Sequence, residues 1–302
     1  MKTRVLILGG TGMLGHTLFS QLMLDHNMDV YATARSLDGL KECFPSDMVG
    51  KIRTGVDADN FVTVIRALAS IQPNVVINCI GLIKQLPISS DPLSAITVNS
   101  LLPHRISLVC QTAGARLIHI STDCVFNGSK GNYTEQDPSD AQDLYGRSKF
   151  LGEVSYPHCV TMRTSIIGHE LKGKLGLIEW LLAQEGSIRG FSKAIYSGFP
   201  TVELARIIRE VVIPNKELSG VYHVSSEPIS KYDLLSLVAA KYGKKVKMEP
   251  FPDFVQDRSL NSDYFRQITG YIPPSWEELI DEMHKDFCGR YKGNTISNER
   301  VM

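Results

Sequence analysis

Residues 5–15 read VLILGGTGMLG, and this stretch decides the fold of the chain. Its first four residues form an unbroken apolar run, which is typical of a strand buried on both faces of a parallel sheet. Glycines follow at the spacing GxxGxxG, and beyond them Leu14, Leu18 and Leu22 recur at helical intervals. A buried strand, a glycine turn and an amphipathic helix in that order predict the first unit of a doubly wound sheet.

The same alternation continues through the first half of the chain. Short apolar segments at 30–33, 75–77 and 117–120 alternate with helical patterns, the longest of which covers residues 93–112 and is stopped by Gly114. Strands separated by helices of this length pair in parallel through right-handed crossovers. The pattern therefore predicts an α/β fold.

Two domains are predicted from where this regularity holds and where it weakens. The first is a Rossmann-type, doubly wound parallel sheet over residues 1–165, completed by a return strand near 221–225. The second is a smaller C-terminal α/β domain for the substrate, formed by residues 166–196 and 226–302, which closes over the first.

The charge balance excludes several classes of function. The 302 residues include 32 Lys and Arg and 32 Asp and Glu, so the chain has no net field to attract nucleic acid or an anionic membrane. No apolar run approaches the roughly 20 residues of a membrane span, and the one at 5–8 is too short for a signal peptide. Six cysteines lack metal-ligand spacing. We expect a cytoplasmic protein without a metal site, and a homodimer on base rates alone.

The glycine turn predicts a dinucleotide site. Its glycines allow a tight turn and a close approach of a diphosphate, which then lies on the free N–H groups at the helix N-terminus. The residues predicted to contact the cofactor here are Gly9, Thr11, Gly12, Met13, Leu14 and Gly15.

Two further residues bear on which dinucleotide is bound. The segment at the end of the second strand lacks the acid that usually holds the ribose of NAD, and Arg35 lies there instead. Arg35 is either a partner for the 2′-phosphate of NADP(H) or a solvated loop residue, and NADP is favoured with NAD as the alternative. Asp57 is a candidate partner for the adenine amino group or an ordinary turn aspartate.

Tyr145 and Lys149 form the pattern YxxxK, which places both side chains on one face of a helix. A phenol is a poor acid–base group near neutral pH, and a cation one turn away stabilises its ionised form. Thr122 follows the strand at 117–120, at the carboxyl edge where doubly wound sheets build their sites. These three residues are the predicted catalytic group.

Several motifs occur in one order along nearly the whole chain: the glycine turn, Asn78–Gly81, Asn99, STDCVF at 121–126, YxxxK, Arg163-Thr164-Ser165, GFPT at 198–201 and RSLN at 258–261. In this respect the chain resembles the extended short-chain dehydrogenase/reductase family, and within it the dTDP-4-dehydrorhamnose reductases and their relatives. The resemblance implies reduction, with NADPH, of the C4 keto group of a nucleotide-linked 4-keto-6-deoxyhexose. The product would be a deoxysugar for a surface polysaccharide such as an O-antigen.

The resemblance also implies a role for each site residue. Tyr145 would protonate the substrate oxygen, Lys149 would hold the nicotinamide ribose, and Thr122 would hydrogen-bond the carbonyl group. Asp123 would lie close to the sugar, and Asn99 would support the catalytic lysine. Cofactor contacts are implied for Asn78, Cys79, Ile80, Gly81, Thr164 and Ser165, and substrate contacts for Pro200, Thr201 and Arg258.

Two departures from the family pattern concern the substrate. Enzymes that act on dTDP-4-keto-rhamnose typically carry tryptophan after Arg-Thr-Ser, and this chain has Ile166. A different sugar is therefore expected, with a UDP-linked 2-acetamido-2,6-dideoxy-4-hexulose as the leading candidate. Lys84 lies where a substrate loop is expected and is either a diphosphate contact or a solvated lysine.

Alternative functions remain open. Cys124 and His169 are similar to the acid–base pair of the family's epimerases, although the histidine is one residue out of register. An epimerase, or an epimerase-reductase, is therefore a rival interpretation. Dehydration is disfavoured because Cys124 occupies the position of the dehydratase acid. A non-catalytic, NADP-binding regulatory subunit, as in methionine adenosyltransferase, is the second rival, and the intact catalytic set argues against it.

Overall fold

The apolar segments of the N-terminal half form one parallel sheet. The structure is a computed structural model that describes residues 2–84 and 87–291. The strands are β1 (Thr3–Leu8), β2 (Met28–Thr33), β3 (Ile52–Arg53), β4 (Val75–Asn78), β5 (Arg116–Ile120), β6 (Cys159–Arg163), β7 (Ile166–Ile167), β8 (Ser187–Tyr196), β9 (Phe199–Pro200), β10 (Gly220–His223), β11 (Ile229–Ser230) and β12 (Lys247–Asp257).

Helices cover both faces of that sheet. They are α1 (Met13–Met23), α2 (Ser46–Val49), α3 (Phe61–Ile71), α4 (Pro92–Ala95), α5 (Leu102–Ala113), α6 (Leu144–Leu151), α7 (Leu177–Leu182), α8 (Thr201–Ile207), α9 (Lys231–Lys241), α10 (Asp263–Thr269) and α11 (Trp276–Tyr291). Turns of π-helix at Ile96–Leu101 and Ile208–Val212 extend α4 into α5 and lengthen α8. Short 3₁₀ turns lie at Lys41–Cys43, Pro87–Ser90 and Asp123–Val125.

Seven of these strands pair in the order β10-β6-β5-β4-β1-β2-β3, all parallel. Leu8 lies opposite Asn78, and Asn78 lies opposite His119, so the carboxyl ends of the three central strands meet at one edge. The predicted Rossmann-type fold is confirmed. The predicted return strand is β10, which pairs with β6.

The unbroken apolar runs reflect burial on both faces. In β1, Val5 and Ile7 pack with Leu18 of α1 on one side of the sheet. Leu6 and Leu8 point to the other side, where they pack with α3 and α5. Both sets are 0% exposed. A strand that loses all contact with water in this way has no polar face, which is why its sequence does not alternate.

The C-terminal half adds a second, smaller sheet in the order β11-β8-β12. The long helix α11 then packs against α8 and α9 and reaches back to α1, where Gln21 donates to Asp286 at 3.2 Å. One apolar core joins these elements: Leu18 of α1, Val238 of α9 and Met283 of α11 belong to the same cluster. The predicted domain boundaries stay a prediction, and residues 292–302 lie outside the described residues.

The described residues lack two features. Within residues 2–84 and 87–291, no helix is long and apolar enough to cross a membrane. The same residues hold no group of three or more His, Cys, Asp or Glu side chains that could bind a metal ion. All six cysteines are free.

Candidate active site

The glycine turn between β1 and α1 is too tightly packed for side chains. Gly9 has φ +83°, a conformation that favours glycine. A Cβ on Gly10 would lie 2.6 Å from Cβ of Ala32 on β2. On Gly15 it would lie 2.1 Å from the carbonyl oxygen of Gly9. The turn therefore packs closely against the sheet, and Gly12 at the N-terminus of α1 is exposed.

That N-terminus has the chemistry of a diphosphate site. Helix α1 has no acidic residue in its first turn, and Gly12 supplies no side chain to cap its free N–H groups. The segment Asn78–Gly81 lies beside the turn, because a Cβ on Gly9 would be 3.1 Å from Cγ1 of Ile80 and 3.3 Å from the carbonyl carbon of Cys79. The two segments thus lie side by side as the two walls of the predicted cofactor groove, and their residues fit a dinucleotide.

Arg35 and Asp57 lie near this groove. Arg35 is exposed just beyond β2, and its backbone oxygen accepts from Gly55 at 3.0 Å. Asp57 makes a turn before α3, since its carboxylate accepts from the N–H of Asp59 at 3.2 Å. Contact of either residue with a cofactor stays a prediction.

Helix α6 carries the YxxxK pair to the carboxyl edge of β5. The Asp143 carboxylate caps the helix by accepting from the N–H of Gly146 at 2.8 Å. Gly146 lets α6 approach closely, because a Cβ there would lie 2.2 Å from the carbonyl oxygen of Cys124. The buried Lys149 ammonium donates to the carbonyl oxygen of Ile120 at 2.7 Å. The lysine is thereby fixed at the end of β5.

Thr122, Tyr145 and Lys149 come together at this edge. The Thr122 hydroxyl donates to the Asp123 carboxylate at 3.1 Å and accepts from the N–H of Cys124 at 3.1 Å. Burial raises the pKa of the Tyr145 phenol, and a hydrogen bond with the Thr122 hydroxyl acts in the opposite direction. Burial also lowers the pKa of Lys149 to about 8. The site thus holds a protonated phenol beside a cation and a hydroxyl.

Asn99 supports the catalytic helix through hydrogen bonds rather than facing the cofactor groove. Its amide accepts from the N–H of Leu82 at 2.8 Å and donates to the Leu82 carbonyl at 3.2 Å and to the Ser148 hydroxyl at 3.2 Å. It therefore ties the segment after β4 to the residue that precedes Lys149. This placement agrees with the supporting role that the resemblance implies.

The substrate side of the site is cationic. Arg258 donates through Nε to the carbonyl oxygen of Phe126 at 2.8 Å and through Nη1 to Sγ of Cys124 at 3.4 Å. Burial raises the pKa of the Asp123 carboxyl, while Arg258 and Lys231 act to lower it. Lys231 was missed at the sequence level, because nothing in its local sequence distinguishes the first residue of α9 from a solvated lysine.

Thr164 and Ser165 lie beside the catalytic group. The carbonyl oxygen of Thr164 accepts from the N–H of Asp123 at 3.2 Å, and that of Ser165 accepts from Phe199 at 2.8 Å. Ile166 then pairs with Phe199 in the short β7–β9 ladder. These residues adjoin the site, as the resemblance implies, and their ligand contacts stay a prediction.

The predicted substrate contacts of Pro200 and Thr201 need correction. Both residues are buried, and Oγ1 of Thr201 accepts from the Thr17 hydroxyl on α1 at 3.2 Å. Pro200 pairs with Ile167 in the ladder beside it. They begin helix α8, which packs on α1, so their side chains serve the core and not the substrate cleft.

The predicted Cys124–His169 pair also needs correction. His169 is 3% exposed, with Nδ1 2.8 Å from the Glu179 carboxylate and Nε2 2.9 Å from the Tyr242 hydroxyl. Its ring stacks on Phe287 of α11. Because both ring nitrogens have partners between α7 and α9, whereas Cys124 lies beside Arg258, the structure does not support an acid–base pair of these two residues.

Lys84 has a partner within the chain. Its ammonium forms an ion pair with Asp143, the residue that caps α6, at 2.8 Å, and both side chains are substantially exposed. The structure therefore holds Lys84 at the rim of the site, near the start of the catalytic helix. A contact between Lys84 and a substrate diphosphate stays a prediction.

Comparison with known proteins places this geometry in a family. Residues 3–288 match the model of the RmlD substrate binding domain. The chain is 27% identical to the spore coat polysaccharide biosynthesis protein SpsK of Bacillus subtilis, over 93% of this chain and 96% of that protein. It is 28% identical to methionine adenosyltransferase 2 subunit beta of Danio rerio, over 78% of this chain and 73% of that protein.

Solved structures agree in fold. The dTDP-4-dehydrorhamnose reductase of Bacillus anthracis, solved in complex with NADP, superposes with a TM-score of 0.76 at 23% identity, covering 95% of this chain and all of that one. The family match confirms the resemblance and the predicted class of enzyme, a nicotinamide-dependent oxidoreductase. The chain belongs to the RmlD substrate binding domain family.

Proposed function

We propose that the chain reduces the C4 keto group of a nucleotide-linked 4-keto-6-deoxyhexose with NADPH. The observation that carries this proposal is the meeting of Thr122, Tyr145 and Lys149 at the end of β5, next to the N-terminus of α1. Similarity to a dTDP-4-dehydrorhamnose reductase supports the substrate class.

The chemistry assigned to each residue follows from its surroundings. When bound, NADPH supplies the hydride that adds to the carbonyl carbon. Tyr145 then gives its phenolic proton to the carbonyl oxygen, which becomes the new hydroxyl group. Thr122 hydrogen-bonds the same oxygen and stabilises the negative charge that develops there. The Lys149 cation stabilises the phenolate that remains on Tyr145 until a solvent proton replaces the one transferred.

NADPH is preferred to NADH in this proposal. Arg35 is exposed at the end of β2, where an acid would otherwise hold the ribose of NAD. A guanidinium at that place suits a 2′-phosphate. The similar Bacillus anthracis protein is bound to NADP. A homodimer and a cytoplasmic location remain predictions.

Ile166 bears on the identity of the sugar. Ile166, next to the catalytic group, offers no aromatic platform, which supports a sugar other than dTDP-4-keto-rhamnose. Consumption of NADPH is measured by absorbance with dTDP-4-keto-6-deoxyhexoses and UDP-2-acetamido-4-keto-6-deoxyhexoses, each as the D and L isomers. Turnover with one of the four identifies both the reaction and the nucleotide, and parallel assays with NADH decide the cofactor.

The decisive variant is Tyr145→Phe. It removes the proton donor and keeps the ring, so we expect turnover to fall by at least about 100-fold with NADPH affinity changed less than about threefold. Turnover is measured by absorbance and binding by the fluorescence of NADPH. Full activity in this variant would contradict the assigned mechanism.

A regulatory subunit is the second candidate, favoured by the similarity to methionine adenosyltransferase 2 subunit beta. It predicts NADPH binding without consumption on any of the four sugars.

An epimerase is distinguished from a reductase by an assay in deuterated water, because reduction alone leaves C3 and C5 of the sugar unlabelled.

A further inference from the structure

A buried carboxylate lies four residues beyond Lys149, just after the end of α6. The Glu153 side chain is 6% exposed. Its Oε1 accepts from the Ser121 hydroxyl at 2.8 Å and from Nε of Arg163 at 2.8 Å, and its Oε2 accepts from Nη2 of Arg163 at 2.7 Å. Both carboxylate oxygens are therefore fixed by donors, and the group is held as an anion.

Glu153 and Lys149 are anchored at the same strand end. Lys149 donates to the carbonyl oxygen of Ile120, and Glu153 accepts from the side chain of Ser121, the next residue. Arg163 ends β6, and its Nη1 lies 3.2 Å from Nε2 of His223 at the end of β10. One carboxylate thus ties the ends of two neighbouring strands to the helix that carries the catalytic pair.

Glu153 differs in charge from the other titratable groups that face Lys149. These groups are Tyr145, one turn before Lys149 on α6, Glu153 just after that helix, Cys79 after β4, and His119 on β5. Burial raises the pKa of the Cys79 thiol to about 12 and that of the Tyr145 phenol above its ordinary value. Burial lowers the pKa of His119 well below its ordinary value. At neutral pH those three are uncharged, and within this set Glu153 supplies the negative charge.

We propose that Glu153 is a positioning residue for the reduction: it keeps Lys149 cationic inside the buried site and, through Ser121, holds the strand end on which the Lys149 ammonium rests. This inference deepens the proposed function and rests on it for the role of Lys149. The two hydrogen bonds from Arg163 fix the carboxylate in place, and the charge of Glu153 acts on Lys149 from just beyond the end of α6.

Loss of the Glu153 charge should shift the pH dependence of the enzyme in one direction. Replacing Glu153 by Gln leaves the Arg163 guanidinium unpaired and removes the anion that favours protonated Lys149. Lys149 then loses its proton at a lower pH. The alkaline limb of kcat/KM and the alkaline limb of NADPH affinity should both move down by about one pH unit.

The experiment compares three variants with the wild-type enzyme across pH. Glu153→Gln should show the shifted limbs, whereas Ser121→Ala, which removes one hydrogen bond and no charge, should leave the position of both limbs unchanged. Glu153→Asp keeps the charge, so its alkaline limbs should lie close to those of the wild type. A Glu153→Gln enzyme that is slower but has wild-type limbs would overturn the proposal.

A double variant and the NADPH-affinity readout separate failure of this inference from a folding defect and from failure of the proposed function. The double variant combines Glu153→Gln with Arg163→Met and so removes both charges of the buried ion pair. Proteins tolerate this better than the loss of one partner, which leaves an unpaired buried charge. If the single variant fails to fold, the double variant is measured in its place. Its alkaline limbs should lie at lower pH than those of the wild type, and limbs at the wild-type pH would overturn the proposal. If no sugar is reduced by the wild type, the NADPH-affinity limb still decides the inference, so its failure is distinct from failure of the proposed function.

Discussion

Lys149 is a cation held away from water, with 6% of the residue exposed and one ordered acceptor, the carbonyl oxygen of Ile120. Burial opposes the charge and lowers its pKa to about 8. Methionine has a similar length and no charge. We therefore expect Lys149→Met to cut turnover at least about 100-fold while raising the free energy of unfolding near pH 7 by about 1 kcal/mol, after the lost hydrogen bond is deducted.

The sign of this stability change depends on pH. Below pH 8 the wild-type lysine is protonated in both states, so the folded protein bears the full cost of a buried charge. Between about 8 and its ordinary value of 10.5, the unfolded chain binds a proton that the folded one has released, and wild-type stability gains with pH. Urea unfolding of both proteins at pH 7 and near pH 9.5 should show the advantage of Lys149→Met shrinking. An equal advantage at both pH values would contradict this account.

At the residue scale, the sequence predicts those site residues that their spacing along one element brings together. YxxxK needs only helical periodicity to bring Tyr145 and Lys149 together, and the structure does so. Lys231 comes to the site from a distant segment, which spacing does not reveal. Glu153 lies only four residues after Lys149, but this interval does not show the partners that fix its carboxylate. Thr201 was misplaced for the opposite reason, because a family motif near the site does not tell which members point into the core.

Gly152 determines how closely two helical segments pack. A Cβ at this residue would lie 1.9 Å from the carbonyl oxygen of Asn99, in the π turn that precedes α5. Backbone on both sides leaves no flexible atom to move. We expect Gly152→Ala to lower the free energy of unfolding by about 3 kcal/mol and to reduce turnover, because Lys149 lies in the turn before it. Denaturant unfolding measures the first effect.

Gly289 offers the matched control. It lies in α11, and a Cβ there would meet no atom within 4 Å. Gly289→Ala should therefore be neutral or stabilising by up to about 1 kcal/mol, since alanine favours helix. Equal losses in the two variants would show that the close approach at Gly152 is not what makes glycine necessary.

At the element scale, strands buried on both faces were predictable and exposed ones were not. The segments of β1, β4 and β5 have no polar face, so composition alone marks them. Strand β12 is exposed along most of its length and contains two prolines, so its sequence reads as a loop. The sequence of helix α11 does indicate a helix, although none was predicted there. Its apolar residues recur at helical spacing: Leu279, Ile280, Met283 and Phe287.

At the scale of the whole molecule, Arg258 connects the two parts of the chain across the site. It follows β12 in the smaller sheet and donates to Phe126 and Cys124 beyond β5 in the Rossmann sheet. The glycine turn of the cofactor groove follows β1, which is two strands away from β5 in the sheet, so we expect this turn not to depend on the link. The position suits a cation that both joins the two parts and receives the anionic end of the substrate.

Replacing Arg258 by methionine separates those two roles. We expect Arg258→Met to raise the KM for the nucleotide sugar by about 10- to 100-fold, since a hydrogen bond to a charged group contributes about 1.5–3 kcal/mol. NADPH affinity should stay unchanged. Steady-state kinetics measure the KM, and fluorescence titration measures NADPH binding. If KM stays at the wild-type value while the unfolding temperature falls, Arg258 is a structural link alone, and Lys231 becomes the residue to vary for substrate binding, because it is the second cation acting on Asp123.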